Sequence, residues 1–310
     1  MNLYALIFTL FSLLFNCAEA SLRPYLKRVE NKREGSQIRN IDFIYLINLE
    51  QRPDKFAGCM RQLAPYNISP HKFFGIYGWR LPTHVLDQIG VKFLPSMWTG
   101  RENALHFYPN GNGSCQMIAL NDSWYGKTCF SSWMTPGAIG CTLSHLSVLQ
   151  DAYDSGYETI WIMEDDILVA QDPHKLSALI DELDLQVGKN GWDLLYTDCD
   201  YLMGLDESRD LQAQVPMKWR PDMPSFNLRI LLEHTDVGDD FIKIGSRIRT
   251  HSMILRRSGI KKILDFYHTH HIFMPYDHEL GFIPNIRLFV VREGIVTSAE
   301  AVSDTKNFHF

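Results

Sequence analysis

Three consecutive carboxylates, Glu164, Asp165 and Asp166, stand inside an otherwise apolar run, with Ile160 to Met163 before them and Ile167 to Val169 after. Apolar residues on both sides read as a strand buried on both faces, as in a parallel sheet. Acids in such a run are costly to bury unless a cation compensates them. In open α/β sheets, ligands gather beyond the carboxyl ends of the strands. The strand over 160–164 is therefore expected to deliver the three acids to that edge, to hold a divalent cation. Hard oxygen donors of this kind suit Mg²⁺ or Mn²⁺ bridging phosphates better than zinc. The plain alternative is a solvated acidic turn between two strands. Strand alternation places 164 and 166 together and 165 opposite.

The elements that must position these acids are also legible. Ile41 to Leu49 reads as a buried first strand, and Pro53 suits the first turn of a helix running to about Leu63. His71 to Ile76 follows as a short strand. A strand, a polar turn and a helix is how an open α/β sheet starts a nucleotide site, which makes Asn48 and Arg52 the candidates for placing a nucleotide. Neither a P-loop nor a GxGxxG fingerprint is present, so phosphate binding would depend on Arg52, Lys55 and a metal. The alternative for Arg52 is a surface salt bridge with Asp54. Thr135 is a candidate N-cap and Pro136 fits the first helical position, with Ile139, Leu143, Leu146 and Leu149 at helical spacing. Gly137 and Gly140 would let this helix start lie close to another backbone or a ligand. His145 falls near its apolar face, as a satisfied core histidine or as a contact of the acids.

Residues 95–136 are irregular and rich in Gly, Asn, Ser and Trp; most of their aromatics are expected to pack the loop onto the core. A helix is predicted from Asp172 to Val187, a strand over 192–197, a strand over 249–255 and a helix over 258–267. Residues 201–245 read as an acceptor-side lobe. His268, His270 and His271 read as a solvated helix C-terminus. Pro275 breaks that helix, and Asp277 and Glu279 open another. A closing strand spans 287–292.

With 310 residues, 45% of them hydrophobic and 21% charged, the composition is that of an ordinary globular protein. With a net charge of −6 and no basic run, nothing suggests a nucleic-acid surface. Leu3 to Phe15 is apolar apart from Thr9 and Ser12, and Ala18 and Ala20 sit at signal-cleavage offsets. Residues 1–20 are thus expected to be a signal peptide or membrane anchor, residues 21–40 a linker outside the core, and residues 41–310 the folded domain. Cys115 and Cys129 could form a disulfide in an oxidising compartment, whereas Cys141 and Cys199 read as buried free thiols. No CxxC is present, so structural zinc is not expected. Sequons begin at Asn67, Asn112 and Asn121.

Gly137 to His145, followed by Ile162 to Ile167, resembles glycosyltransferase family 25, and Tyr45 to Asp54 looks like that family's first strand and turn. The family includes bacterial lipooligosaccharide galactosyltransferases and collagen hydroxylysine galactosyltransferases. The resemblance makes residues 41–310 a glycosyltransferase domain and implies a GT-A-type α/β fold, a mostly parallel central sheet flanked by helices. It also implies inverting transfer from a nucleotide-sugar donor, UDP-galactose first, to a glycan or a hydroxylysine-type protein acceptor. On this reading Glu164 and Asp166 hold Mn²⁺ (or Mg²⁺), while Asn48, Arg52, Asp165 and His145 serve the donor. Asp277 lies in an element like the family's acceptor-side one and is the candidate catalytic base, or else only caps its helix. Ser303 to Thr305 is similar to a short C-terminal motif of collagen-modifying members. The secretory lumen, or a membrane attachment facing the cytosol, would supply nucleotide sugars. Two other readings stay open: a catalytically silent secreted glycan-binding module, and a metal-dependent phosphodiesterase or nuclease. The absence of a second metal cluster and of a basic surface counts against the second.

Overall fold

The computed structural model describes residues 22–32, 38–97, 103–108, 114–200, 219–299 and 304–305. The signal or anchor segment, Trp98, Asn112, residues 201–218 and Ser303 lie outside these residues. Among the described residues no helix is long and apolar enough to cross a membrane.

Period-two alternation sorts each central strand into two buried faces. On β1 (Phe43–Asn48), Phe43 and Tyr45 join one core cluster while Ile44 and Leu46 join the other. On β7 (Thr159–Glu164), Ile160 and Ile162 divide from Trp161 and Met163 in the same way. Each such fully buried side chain contributes about 1.5–3 kcal/mol of apolar transfer. The other members of the sheet are β2 (His71–Phe74), β9 (Leu194–Tyr196), β10 (His234–Val237), β11 (Phe241–Ile244), β12 (Ser252–Arg256) and β13 (Leu288–Val291). The order is β10-β11-β13-β9-β12-β7-β1-β2. Six strands run one way, and only β11 and β12 are reversed. The expected mostly parallel α/β sheet is therefore present.

Helices cover both faces. Leu63 of α1 (Pro53–Leu63) packs on one face, and α2 (Thr83–Ile89) and α3 (Pro136–Asp154) belong to the other. Leu176, Ile180 and Leu183 of α4 (Lys175–Val187) join α1, whereas Ile260 and Ile263 of α5 (Arg257–His270) join α3. The short α6 (Tyr276–Leu280) follows Pro275 as expected. Thr135 caps α3, its hydroxyl accepting from Ala138 N at 3.0 Å.

Several expectations need correction. Residues 95–136 are not mainly irregular: β3 (Val91–Lys92), β4 (Asn103–Phe107), β5 (Cys115–Ala119) and β6 (Thr128–Ser131) form an antiparallel sheet of order β3-β6-β4-β5. The strands are short and their polar loop residues dilute the alternation. Packing does claim Phe107 on Phe130 and Trp124 on His106, but Trp133 and Tyr108 are exposed. Cys115 and Cys129 are both free, because β4 lies between their strands. Two strand spacings, about 10 Å, exceed the reach of a disulfide. Cys141 and Cys199 are free as expected, but only half-buried.

The described part of the 21–40 segment is docked rather than a free linker. Leu22 is 1% exposed, Lys27 N donates to Ser147 Oγ, and Lys32 pairs with Asp151 at 2.9 Å. Residues 234–244 form no separate lobe but the β10–β11 hairpin at the sheet edge. At the end of α5, His270 is not simply solvated, since its Nδ1 lies 2.7 Å from Asp222 Oδ2. Ile167 to Val169 leaves the sheet as β8 (Ile167–Val169) and pairs with β14 (Val296–Ser298).

Candidate active site

β1 and β7 are neighbours, and Ile47 stands opposite Glu164 at their carboxyl ends. Beyond this edge opens a cleft of about 630 Å³, its open mouth included, lined by Asn48, Lys55, Cys141, His145, Glu164, Asp165, Asp166 and Asp304. Its far wall is the start of α3 against the 76–78 turn, a contact that only glycines permit. A Cβ on Gly140 would collide with Ile76 O, and one on Gly137 with Thr305 O. The role expected of these two glycines is thus fulfilled.

The three acids leave β7 in different surroundings, although all face the cleft. Glu164 Oε1 lies 3.0 Å from His145 Nε2 and accepts from Thr250 Oγ1 at 2.7 Å. Burial raises this carboxyl, but the hydrogen bonds from His145 and Thr250 outweigh burial and leave it below its ordinary value. Asp165 turns the other way, accepting from Asn48 Nδ2 at 2.7 Å, with Lys55 Nζ 3.6 Å from its Oδ1. Burial nevertheless leaves its pKa raised. Asp166 Oδ1 is buried with no hydrogen-bond partner among the described residues. Burial, then the charges of Glu164 and Asp165, push Asp166 up to about 6. A carboxylate oxygen without a donor, beside two more acids, is what a divalent cation would satisfy. Glu164 and Asp166 fit that role with hard oxygen donors.

The remaining predicted residues fall on or beside this cleft. His145 is fully buried and stacks on Tyr276 at 4.5 Å, so it is both a core histidine and a partner of the acids. Asn48, 1% exposed, ties the first turn to the acids by donating to Arg52 O and to Asp165. Arg52 does more than pair with Asp54, which it meets only at 3.4 Å. Its Nη1 holds both oxygens of Asp304 at 2.5–2.6 Å, and Lys55 joins the same carboxylate at 3.0 Å. Asp277 does not line the cleft. Its oxygens accept from His278 N and from Arg249 N, whose residue has φ of 69°. The next residue, Thr250, is the one bonded to Glu164.

Three features escaped sequence reasoning. Asp304 returns to the cleft, with Trp79 Nε1 donating to its carbonyl at 3.3 Å and Thr135 Oγ1 to Thr305 O at 2.5 Å; the Ser303–Thr305 motif was its only signal. His251 Nε2 pairs with Asp198 at 2.6 Å, and His251 O receives Glu164 N. Cys141 lines the cleft one turn before His145, and burial first, then the nearby acids, raise its thiol well above the ordinary value.

Known proteins are similar to this chain in sequence. The family described as Glycosyltransferase family 25 (LPS biosynthesis protein) matches residues 41–280. A Drosophila melanogaster protein named Glycosyltransferase 25 family member is 30% identical over 146 residues, 47% of this chain and 19% of the relative. The Xenopus laevis Procollagen galactosyltransferase 1-B is 25% identical over 158 residues, 51% of this chain and 21% of its own. A human relative, Inactive glycosyltransferase 25 family member 3, is 25% identical over 156 residues, 50% of this chain and 21% of that protein. The chain thus aligns with about a fifth of the length of these relatives. Since the family match spans well over half of its residues, the chain belongs to glycosyltransferase family 25.

Proposed function

We propose that this protein transfers a hexose, galactose in the first place, from a UDP-sugar to a hydroxyl of a glycan or protein acceptor, with inversion and with a divalent cation, Mn²⁺ or Mg²⁺. The observation that carries this reading is the acidic turn at the carboxyl edge of β7, where Asp166 keeps a buried oxygen without a donor among the described residues. Glu164 and Asp166 would hold the cation, which supplies Lewis-acid stabilisation of the diphosphate leaving group. Lys55 and Arg52 are the cations placed to meet phosphate oxygens, in exchange for Asp304. Asn48 and Asp165 fix the turn that carries them. His145 and Thr250 hold Glu164 in its ionised form.

The acceptor hydroxyl must lose its proton as the new bond forms, because inversion is a direct displacement. The candidate for that proton is Asp277, which stands outside the cleft lining with a side chain 22% exposed; its backbone partner Arg249 adjoins Thr250, so the acceptor would have to reach it from the Thr250 side. A lumenal or membrane-attached setting in the secretory pathway belongs to the same proposal, as does the galactosyl preference, which leans on the name of the Xenopus relative.

One observation favours a second reading. Relatives of similar identity are named inactive, which suits a silent glycan-binding module. Release of UDP from a panel of UDP-sugars, with Mn²⁺ or with EDTA, separates the two. Metal-dependent release from one donor, lost in Asp166→Ala, establishes the transferase and names the sugar. No release, with no UDP or Mn²⁺ binding by calorimetry, leaves the silent module.

A further inference from the structure

Beside the hard oxygen donors the cleft carries a second set of quite different chemistry. Cys141 and His145 are four residues apart on α3, so their side chains stand one above the other on the same helix face. Glu164 approaches that face from the end of β7. One ligand atom from each of the three lies within 4.8 Å of the others. The imidazole is oriented before any ion arrives, by stacking on Tyr276 at an interplanar angle of 13°. Glu164 is likewise held by Thr250 Oγ1. His145 is 0% exposed, yet its Nδ1 has no hydrogen-bond partner among the described residues. Cys141 is reachable, because it lines the cleft.

We propose that Cys141, His145 and Glu164 form a cation site for a borderline metal of the zinc class, distinct from the hard-cation set and sharing Glu164 with it. Sulfur, imidazole nitrogen and one carboxylate oxygen are the donors such ions prefer, and three protein ligands leave a fourth position open to the cleft. On binding, the Cys141 thiol gives its proton to solvent and the thiolate sulfur bonds the metal. The ion also replaces the His145–Glu164 hydrogen bond: the Nε2 proton of the neutral imidazole passes to the buried Nδ1 by tautomer exchange, which frees the Nε2 lone pair for the metal. Because Glu164 serves both sets, a zinc-class ion here withdraws one ligand from the cation of the donor site. That consequence for turnover rests on the proposed function; the site itself does not.

The test uses the full chain, stripped of metal and kept reduced, titrated with Co²⁺ as a coloured stand-in for Zn²⁺. A thiolate-to-Co²⁺ charge-transfer band saturating at one equivalent, displaced by Zn²⁺, absent in Cys141→Ser and retained in Cys199→Ser, supports the site. No band in the wild type, or a band that survives Cys141→Ser, overturns it. A second measurement needs no variant: alkylation at each cysteine is followed by peptide mass spectrometry with and without Zn²⁺. Saturating Zn²⁺ is expected to slow modification of Cys141 at least about tenfold and to leave the exposed Cys115 unchanged. Equal rates at Cys141 overturn the proposal. Neither readout requires turnover, so a chain that releases no UDP can still pass this test, and an active one can fail it.

Discussion

Asp193 and Asp166 lie at opposite edges of one sheet, and both are pulled out of water. Asp193, just before β9 at the amino edge, has a side chain 0% exposed. It is met by Arg287 through Nε and Nη2, by Lys262 and by Ser258, all within 2.9 Å. Burial raises its pKa, but these donors win and bring it down to about 2. Asp166, beyond β7 at the carboxyl edge, has an oxygen with no donor among the described residues and is pushed up to about 6. The same residue type is therefore a finished structural joint at one edge and an unfinished one at the other. Unfinished electrostatics at the ligand-binding edge of an α/β sheet mark where a partner is meant to complete them.

Four measurements would break or sharpen this contrast. Asp193→Ala should cost about 3–5 kcal/mol in chemical denaturation, because it strands Arg287 and Lys262 without their partner; a loss under 1 kcal/mol would remove the distinction between the two edges. Asp166→Ala should lower metal-dependent UDP release about 100-fold or more while the fold persists; full activity would end its assignment as a ligand. Next comes pH. A proton on Asp166 competes with the cation, so Mn²⁺ affinity should fall by up to about tenfold per unit as pH drops below about 6, and level off above it; calorimetry at several pH values checks this.

The smallest effect is on stability without metal. Asp166, raised above its unfolded value, contributes stability that is present below the unfolded pKa and lost as pH rises through about 6. Asp193, depressed, contributes stability present above its unfolded pKa and lost as pH falls toward about 2. Asp166→Asn should thus stabilise the metal-free protein at neutral pH by about 1–2 kcal/mol. Thermal melts with EDTA would show it, and a destabilised variant would mean that Asp166 is already compensated.

The acids, the first turn and the α3 helix were legible because each is local: apolar periodicity, a Thr-Pro cap and a dense motif all lie within a few residues. The reversed strand β12 was legible as a strand but not in its place, since nothing in residues 252–256 says that they insert antiparallel between β7 and β9. Asp304 meets Arg52 across 252 positions, and His251 meets Asp198 across 53. Such pairings arise from the way the sheet is wound, and local spacing carries no trace of them. The short strands β3 to β6 were missed for the opposite reason, because turn-rich composition outweighed alternation too brief to register.

Residues 41–280, which match the family, end before β13, and β13 is not a peripheral strand. It lies between β11 and β9. A protein trimmed to the matching residues would lose a strand from within its sheet and leave β9 and β11 with bare, hydrogen-bond-hungry edges. Such edges recruit strands from neighbouring molecules. Expression boundaries chosen by homology alone would therefore yield aggregates, whereas a fragment that runs past β14 and keeps Leu22 would preserve every pairing of the sheet.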